Sequence, residues 1–233
     1  MRLIISLHAA KAGGTSFGRY LLDHATSQTP IFFNYGTGHP LHGLHWQGNV
    51  THRDIAVGDP SFDQIIESQQ DQATVIVHGH LRTDMFRPYP GLNPEWITWL
   101  RDPIERIRSH FDYWRLGPKR ENAKRQDLRD AVQDGTCSLA QFGTHETVAN
   151  YYQWILGEVD VGDLAAIGIL EQPEESLMRL TSFLGLSTVG EMPNLNQTEG
   201  RTNRSPLAPE THATIAAANE ADIEIYRQAV ARY

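Results

Sequence analysis

The sequence predicts an α/β fold with three layers, in which helices flank a mostly parallel central sheet. Three short apolar runs are typical of buried strands, at 3–5, 74–77 and 96–100. The first and the third are each followed by a helical pattern, an alternation that favours a parallel sheet. A chain of 233 residues is long enough to bury a full core, and we expect one domain over 1–233.

The first strand leads into a short loop with two glycines. Gly13 and Gly14 allow backbone N–H groups to approach an anion, and the dipole of the following helix favours negative charge there. Thr15 or Ser16 is suited to cap that helix. Its core-facing stripe follows at i, i+3 and i+4: Phe17, Tyr20 and Leu21. The pattern predicts the phosphate loop of a nucleotide site; the alternative is a tight turn with a solvated Lys11.

The position of the lysine distinguishes this loop from the common nucleotide loop, in which lysine follows the second glycine. Here Lys11 precedes both glycines, and the order Lys-x-Gly-Gly-Thr-Ser resembles the 5′-phosphosulfate loop of sulfotransferases that use 3′-phosphoadenosine 5′-phosphosulfate (PAPS). The resemblance implies that Lys11 contacts the 5′ group and neutralises charge on the departing phosphate oxygen. It also implies that the backbone of the next residues binds this group: Ala12, Gly13, Gly14, Thr15 and Ser16. Ala10 stands where the family usually has proline.

A second segment starts at the strand 96–100 and continues into a helix. Asp102 is a good N-cap, Pro103 suits the first helical position, and Glu105 completes a start that is similar to a capping box. The core-facing stripe of this helix is Ile104, Ile107, Phe111 and Trp114. The string Arg-Asp-Pro-x-x-Arg-x-x-Ser-His-Phe resembles the 3′-phosphate site of the same sulfotransferases, with Arg101 and Ser109 as the phosphate contacts. The alternative is an ordinary surface helix with scattered arginines.

The third segment is a β-branched run that ends in two histidines separated by glycine. Alternation along Thr74–Val77 places His78 and His80 on the same side of a strand end, where the sites of parallel sheets assemble. The order resembles carbohydrate O-sulfotransferases of the uronosyl and heparan 2-O group. It implies that His80 is the general base and that His78 is a structural partner. The unperturbed pKa of imidazole suits proton transfer near neutral pH, and two histidines without a third ligand do not specify a zinc site.

Together these resemblances imply a fold similar to that of the P-loop NTPases and an enzyme that moves a sulfuryl group from PAPS to an acceptor hydroxyl. The transfer is expected to be an in-line displacement, in which positioning and charge stabilisation supply most of the catalysis. His80 removes the acceptor proton in this scheme, adenosine 3′,5′-bisphosphate (PAP) is the product, and no metal is required. We expect a carbohydrate acceptor, although small molecules with a hydroxyl group fit the same residues.

Three further segments are candidates for contacts with the nucleotide or the acceptor. The loop 196–205 resembles the C-terminal lid of the family, so Arg201 or Arg204 is placed to cover the nucleotide; a solvated loop is the alternative. The irregular segment 34–64 contains Trp46, which is suited to stack on a sugar. The basic residues around 119–125 suit an anionic acceptor, but such a run of charges favours a solvated helix face.

Composition excludes some classes of function. A net charge of −8 argues against a nucleic-acid binder. The first residues contain too short an apolar run for a signal peptide or a membrane span. The single cysteine, Cys137, excludes an intramolecular disulfide framework and is typical of a reducing compartment. We therefore expect a soluble, cytoplasmic protein.

Two other classes of function use similar residues. A small-molecule kinase has the same architecture, but its lysine should follow the glycines and an acidic Mg²⁺ ligand should lie at a strand end. A non-catalytic nucleotide-binding protein would keep the loop and Arg101 without needing a base. The sequence identifies neither the acceptor nor the oligomeric state.

Overall fold

The computed structural model describes residues 1–24, 29, 31–34, 67, 73–87, 91–118, 125–186 and 205–232. The strands are β1 Arg2–His8, β2 Ile31–Asn34, β3 Thr74–Gly79, β4 Glu95–Leu100 and β5 Ala166–Ile169. The helices are α1 Gly14–His24, α2 Pro103–Leu116, α3 Gln126–Gln133, α4 Leu139–Gly143, α5 Tyr151–Leu156, α6 Pro173–Leu184, α7 Pro209–Ala218 and α8 Glu220–Ala231. Short 3₁₀ turns occupy Thr83–Phe86 and Val161–Asp163.

The described strands form one sheet in the order β2-β3-β1-β4-β5, and every pair in it is parallel. This confirms the predicted α/β class with a parallel sheet. In this order the connection that leaves β1 leads to β2, on the β3 side of β1. The connection that leaves β4 leads to β5, which lies on the opposite side. The point at which the connections diverge therefore lies between β1 and β4, and ligands of open α/β sheets bind at the carboxyl ends of strands beside such a point.

Both faces of the central strands are buried, which explains why β1, β3 and β4 are almost continuously apolar. One face is covered by α1 and α6, whose leucines and aromatic residues pack on alternate residues of the strands. That cluster contains Ile4, Phe17, Tyr20, Leu21, Ile31, Phe33, Ile76, Ile97, Trp99, Leu177, Leu180 and Leu184. The predicted stripe of α1, formed by Phe17, Tyr20 and Leu21, is thus confirmed as core.

The chain divides into two compact units. The first comprises Met1–Leu100 and Trp154–Leu195 and contains the sheet; the second comprises Arg101–Gln153 and Asn196–Tyr233 and is helical in its described part. That residues 1–233 act as one domain stays a prediction. Across the described residues, no helix is long and apolar enough to cross a bilayer.

The helical unit has its own core, which is built around α2. Asp102 caps this helix, because its carboxylate accepts the backbone N–H of Glu105 at 2.9 Å, and Pro103 occupies the first turn. Both predictions about the start of this helix are confirmed. The apolar stripe of α2 packs against α3, α4 and α7 in a cluster that includes Ile104, Ile107, Trp114, Val132, Phe142 and Ile215.

Candidate functional site

The loop between β1 and α1 is a compact turn with an unusual backbone. The N–H of Ala12 donates to the carbonyl oxygen of Ala9 at 3.1 Å, and both alanines are buried. Lys11 has a φ of 68° and Gly13 a φ of 88°. A left-handed conformation is expected for glycine but costs a lysine roughly 1–2 kcal/mol. Non-glycine residues in this conformation cluster at functional sites, so the backbone of Lys11 marks this turn as a candidate site.

Helix α1 begins at Gly14, two or three residues earlier than a cap at Thr15 or Ser16 predicts. The N–H of Phe17 donates to the carbonyl oxygen of Gly13 at 3.0 Å, and the first helical turn that this bond closes contains both hydroxyl residues. The prediction that Thr15 or Ser16 caps the helix is therefore wrong, because both lie inside its first turn. That turn contains no acidic residue, which leaves the positive end of the helix dipole without a carboxylate of its own.

The side chain of His78 links β1, β3 and the start of α1. It is buried, and its Nδ1 lies 2.8 Å from the Ser6 hydroxyl while its Nε2 lies 3.0 Å from the carbonyl oxygen of Gly14. A carbonyl oxygen only accepts, so Nε2 carries a proton and donates it to Gly14. In the neutral ring Nδ1 then carries no proton, so it accepts a hydrogen bond from the Ser6 hydroxyl. His78 thus fixes the first residue of α1 to the sheet.

His80 lies one residue beyond the end of β3 and is exposed. Desolvation by the surrounding protein lowers the pKa of its imidazole from 6.5 to about 4. Solvent contact of an exposed residue favours a smaller depression than that value. In either case the ring is neutral at pH 7 and can accept a proton. A lower pKa makes it a weaker base than the unperturbed imidazole that the sequence analysis assumed.

His8 was not among the residues predicted from the sequence, and the structure places its ring beside those of both other histidines. Its ring lies 5.7 Å from that of His78 and 4.7 Å from that of His80, measured between centroids. The parallel register explains this, since Ser6 pairs with His78 and Leu7 with Gly79, so that His8 and His80 follow as the next pair. A Cβ on Gly14 would overlap the His8 ring. The position of His8 after the first predicted strand is the sequence signal from which it could have been predicted as a site residue.

Arg101 directly follows β4 in the chain and belongs to the helical unit. A single phenol fixes its backbone: Tyr152 Oη accepts the N–H of Arg101 at 2.9 Å and donates to its carbonyl oxygen at 2.7 Å. Its guanidinium lies 3.6 Å from a carboxylate oxygen of Glu105, and only 15% of the side chain is exposed. Ser109, the other predicted phosphate contact, is fully buried in the same unit.

The middle arginine of the same motif, Arg106, has a structural environment that the sequence did not indicate. It is fully buried, donates to the carbonyl oxygen of Val148 at 3.0 Å and lies 3.9 Å from a carboxylate oxygen of the equally buried Asp222. The same carboxylate accepts the N–H groups of Tyr152 and Gln153 at 2.9 and 3.0 Å. Burial raises the pKa of Asp222, while Arg106 and these backbone donors oppose the rise. Arg106 therefore connects α2 with α8 inside the helical unit.

Several predicted contact residues lie outside the described residues. These are Trp46 with the remainder of 34–64 beyond Asn34, the basic residues Lys119, Arg120 and Lys124, and the loop residues Arg201 and Arg204. Among the residues that are described, no group of three or more His, Cys, Asp or Glu side chains is placed to hold a metal ion. That the reaction needs no metal stays a prediction.

The chain matches no protein-family model and no curated protein sequence. Among solved structures it is similar to mouse sulfotransferase SULT7A1 complexed with PAP, with 13% identity and a TM-score of 0.41 over 96% of this chain and 66% of that chain. It is also similar to a sulfotransferase from Alicyclobacillus acidocaldarius, with 18% identity and a TM-score of 0.46 over 96% of both chains. This chain thus spans just under two thirds of the mouse chain.

Proposed function

We propose that this protein is a PAPS-dependent O-sulfotransferase, which moves a sulfuryl group from PAPS to an acceptor hydroxyl and releases PAP. The observation that carries the proposal is the junction of the loop at 9–13 with the His78-Gly79-His80 segment. Although distant in sequence, the two segments meet through the hydrogen bond from His78 to the carbonyl oxygen of Gly14. A candidate phosphate loop and a candidate base are thereby located at the same edge of the sheet.

In this proposal the loop binds the 5′ phosphosulfate. The N–H groups at the start of α1 and the dipole of the helix favour an anion, and the left-handed backbone of Lys11 fixes the direction in which its side chain leaves the turn. The Lys11 ammonium would neutralise negative charge that develops on the phosphate oxygen as the sulfuryl group departs. The resemblance of 101–111 to a 3′-phosphate site assigns that phosphate to Arg101 and Ser109.

His80 acts as the general base. The imidazole is neutral at physiological pH and exposed to solvent, as a group that receives a proton from an entering hydroxyl must be. We propose a carbohydrate as the acceptor, on the resemblance of the His-Gly-His segment to carbohydrate O-sulfotransferases, and the cytoplasm as the location. The in-line transfer then depends on the positions of the acceptor oxygen, the sulfur and the departing oxygen rather than on covalent catalysis.

Calorimetric titration tests the nucleotide assignment without knowledge of the acceptor. The full chain is titrated with PAP, with adenosine 5′-monophosphate and with ATP plus Mg²⁺. We expect PAP to bind more tightly than the other two nucleotides. Arg101→Ala should lower the affinity for PAP to about the affinity for the monophosphate, because a charge-assisted contact to the 3′-phosphate is lost.

Arg87→Ala is the matched control, since Arg87 pairs with Glu158 on an exposed surface. It should leave the affinity for PAP unchanged. Tighter binding of ATP with Mg²⁺, unaffected by Arg101→Ala, would favour the kinase alternative and remove the basis for His80 as the base of a sulfuryl transfer.

A further inference from the structure

The His8 ring contacts both the first residue of α1 and the ring of His80. His8 is 4% exposed and is the last residue of β1, where it pairs with Trp99 of β4. Its plane is within 9° of parallel to that of His78 and tilted by 37° from that of His80. The space beside Gly14 is filled by the same ring, so that a Cβ there has no room.

The ring of His8 contacts two other rings, the buried ring of His78 and the ring of the exposed His80. His78 is held by two hydrogen bonds, to Ser6 and to Gly14. His8 stacks against it, and His80 leans on His8 at 4.7 Å. His80 lies one residue beyond β3, in the middle of a tight turn in which the N–H of Leu81 donates to the carbonyl oxygen of Gly79 at 2.9 Å. A side chain in such a place retains rotamer freedom unless neighbouring atoms restrict it.

We propose that His8 is a positioning residue, which fixes the His80 ring relative to the start of α1 by ring packing. The proposal rests on the proposed function, in which His80 is the base and the loop before α1 binds the 5′ phosphosulfate. An in-line transfer tolerates little displacement of the base from the acceptor oxygen. Because His8 contacts Gly14 and His80 at once, a change in its shape alters the distance between them.

Two substitutions of His8 separate the flat shape of its ring from the volume that it fills. His8→Phe keeps a flat ring of similar size. His8→Leu fills the buried space without a flat surface, so the fold is retained while the stacking is lost. His24→Phe is the matched control: His24 also belongs to the first unit and stacks on an aromatic ring, that of Tyr20 at 4.1 Å, at the far end of α1.

The experiment measures three quantities on the full chain. The first is the proton–carbon NMR signal of the His80 Cε1–H group, assigned by its disappearance in His80→Asn. The second is the dissociation constant of PAP. The third is the slow reaction of PAPS with water at saturating PAPS, which gives PAP, sulfate and a proton and needs no added acceptor.

We expect His8→Leu to shift the His80 signal and to slow PAPS consumption by about 10-fold to 100-fold, with the affinity for PAP nearly unchanged, since the effect is on the position of the base. His8→Phe and His24→Phe should resemble the parent protein in all three measurements. An unchanged His80 signal and rate in His8→Leu would overturn the proposal. An equal loss in His8→Leu and His8→Phe would also overturn it, because the ring nitrogens rather than the flat shape would then matter.

Failure of the proposed function is visible separately. If the parent protein neither binds PAP nor consumes PAPS, the sulfotransferase assignment is wrong whatever the His8 variants do. The NMR signal of His80 still reports whether His8 determines the environment of that ring, and an unshifted signal in His8→Leu overturns the packing inference without reference to any nucleotide.

Discussion

Replacing Gly14 by alanine tests the packing at the start of α1. Gly14 is helical and its φ lies outside the left-handed region, so its backbone suits any residue. A glycine-to-alanine change in a helix ordinarily stabilises a protein by about 0.5–1 kcal/mol. Here the new methyl group would overlap the His8 ring. Overpacking of a buried contact costs about 1–3 kcal/mol, so we expect a net destabilisation.

The clash predicts a coupling between positions 8 and 14. In a His8→Ala background the ring is absent, and Gly14→Ala should become stabilising by about 0.5–1 kcal/mol. The double-mutant cycle should therefore give a coupling energy of about 1–3 kcal/mol between the two changes. Urea unfolding followed by circular dichroism measures all four free energies of unfolding.

Gly162→Ala is the matched control, because a Cβ on Gly162 would meet nothing within 4 Å. It should show no coupling to His8→Ala. Additivity of Gly14→Ala with His8→Ala, within about 0.5 kcal/mol, would refute the packing described for the His8 ring.

Three further predictions concern the candidate base, the loop and the helical unit. His80→Ala should lower the rate of PAPS consumption by about 10²-fold to 10⁴-fold without weakening the affinity for PAP. In the parent protein this rate should fall as the pH drops through a pKa between about 4 and 6.5, because the neutral ring is the active form. A rate independent of pH over 4–8 would contradict this. Lys11→Ala and Lys11→Gly should both weaken the affinity for PAP. In urea unfolding the glycine variant should be more stable than the alanine variant by about 1 kcal/mol, because φ is 68° at this position. Equal stabilities of the two variants would contradict the strain assigned to Lys11. Asp222→Asn should destabilise the protein by about 3–5 kcal/mol, because it leaves the buried charge of Arg106 unpaired. A decrease in the free energy of unfolding below about 1 kcal/mol in the same urea assay would contradict that pairing.

The sequence predicted the elements whose signals are local. The apolar runs of β3 and β4 were sufficient to place them, because parallel strands are buried on both faces. The start of α2 was equally clear, because capping by Asp102 involves a hydrogen bond to a residue three positions away. The start of α1 was misplaced because the carbonyl oxygen of Gly13 closes the first turn, and a backbone acceptor has no sequence signature.

The environment of the candidate site depends on contacts between distant residues. The partnership of His8 with His80 follows from the register of β1 and β3, which are joined by a long stretch of chain, and no local pattern specifies that register. Arg106 was treated as part of a motif with anion contacts, but it is paired with Asp222 in a helix near the end of the chain. The depression of the His80 pKa likewise depends on atoms that the fold brings around the ring.

Transfer of radioactive label from the proposed donor tests the account most directly. The full chain and His80→Asn are incubated with ³⁵S-labelled PAPS and either a desulfated uronic-acid polysaccharide or p-nitrophenol, and a parallel reaction contains γ-³²P-labelled ATP with Mg²⁺. We predict ³⁵S in an acceptor, PAP in equal amount, and a loss of transfer in His80→Asn of about 10²-fold or more. Transfer of ³²P without ³⁵S, or ³⁵S transfer that His80→Asn leaves intact, would contradict it.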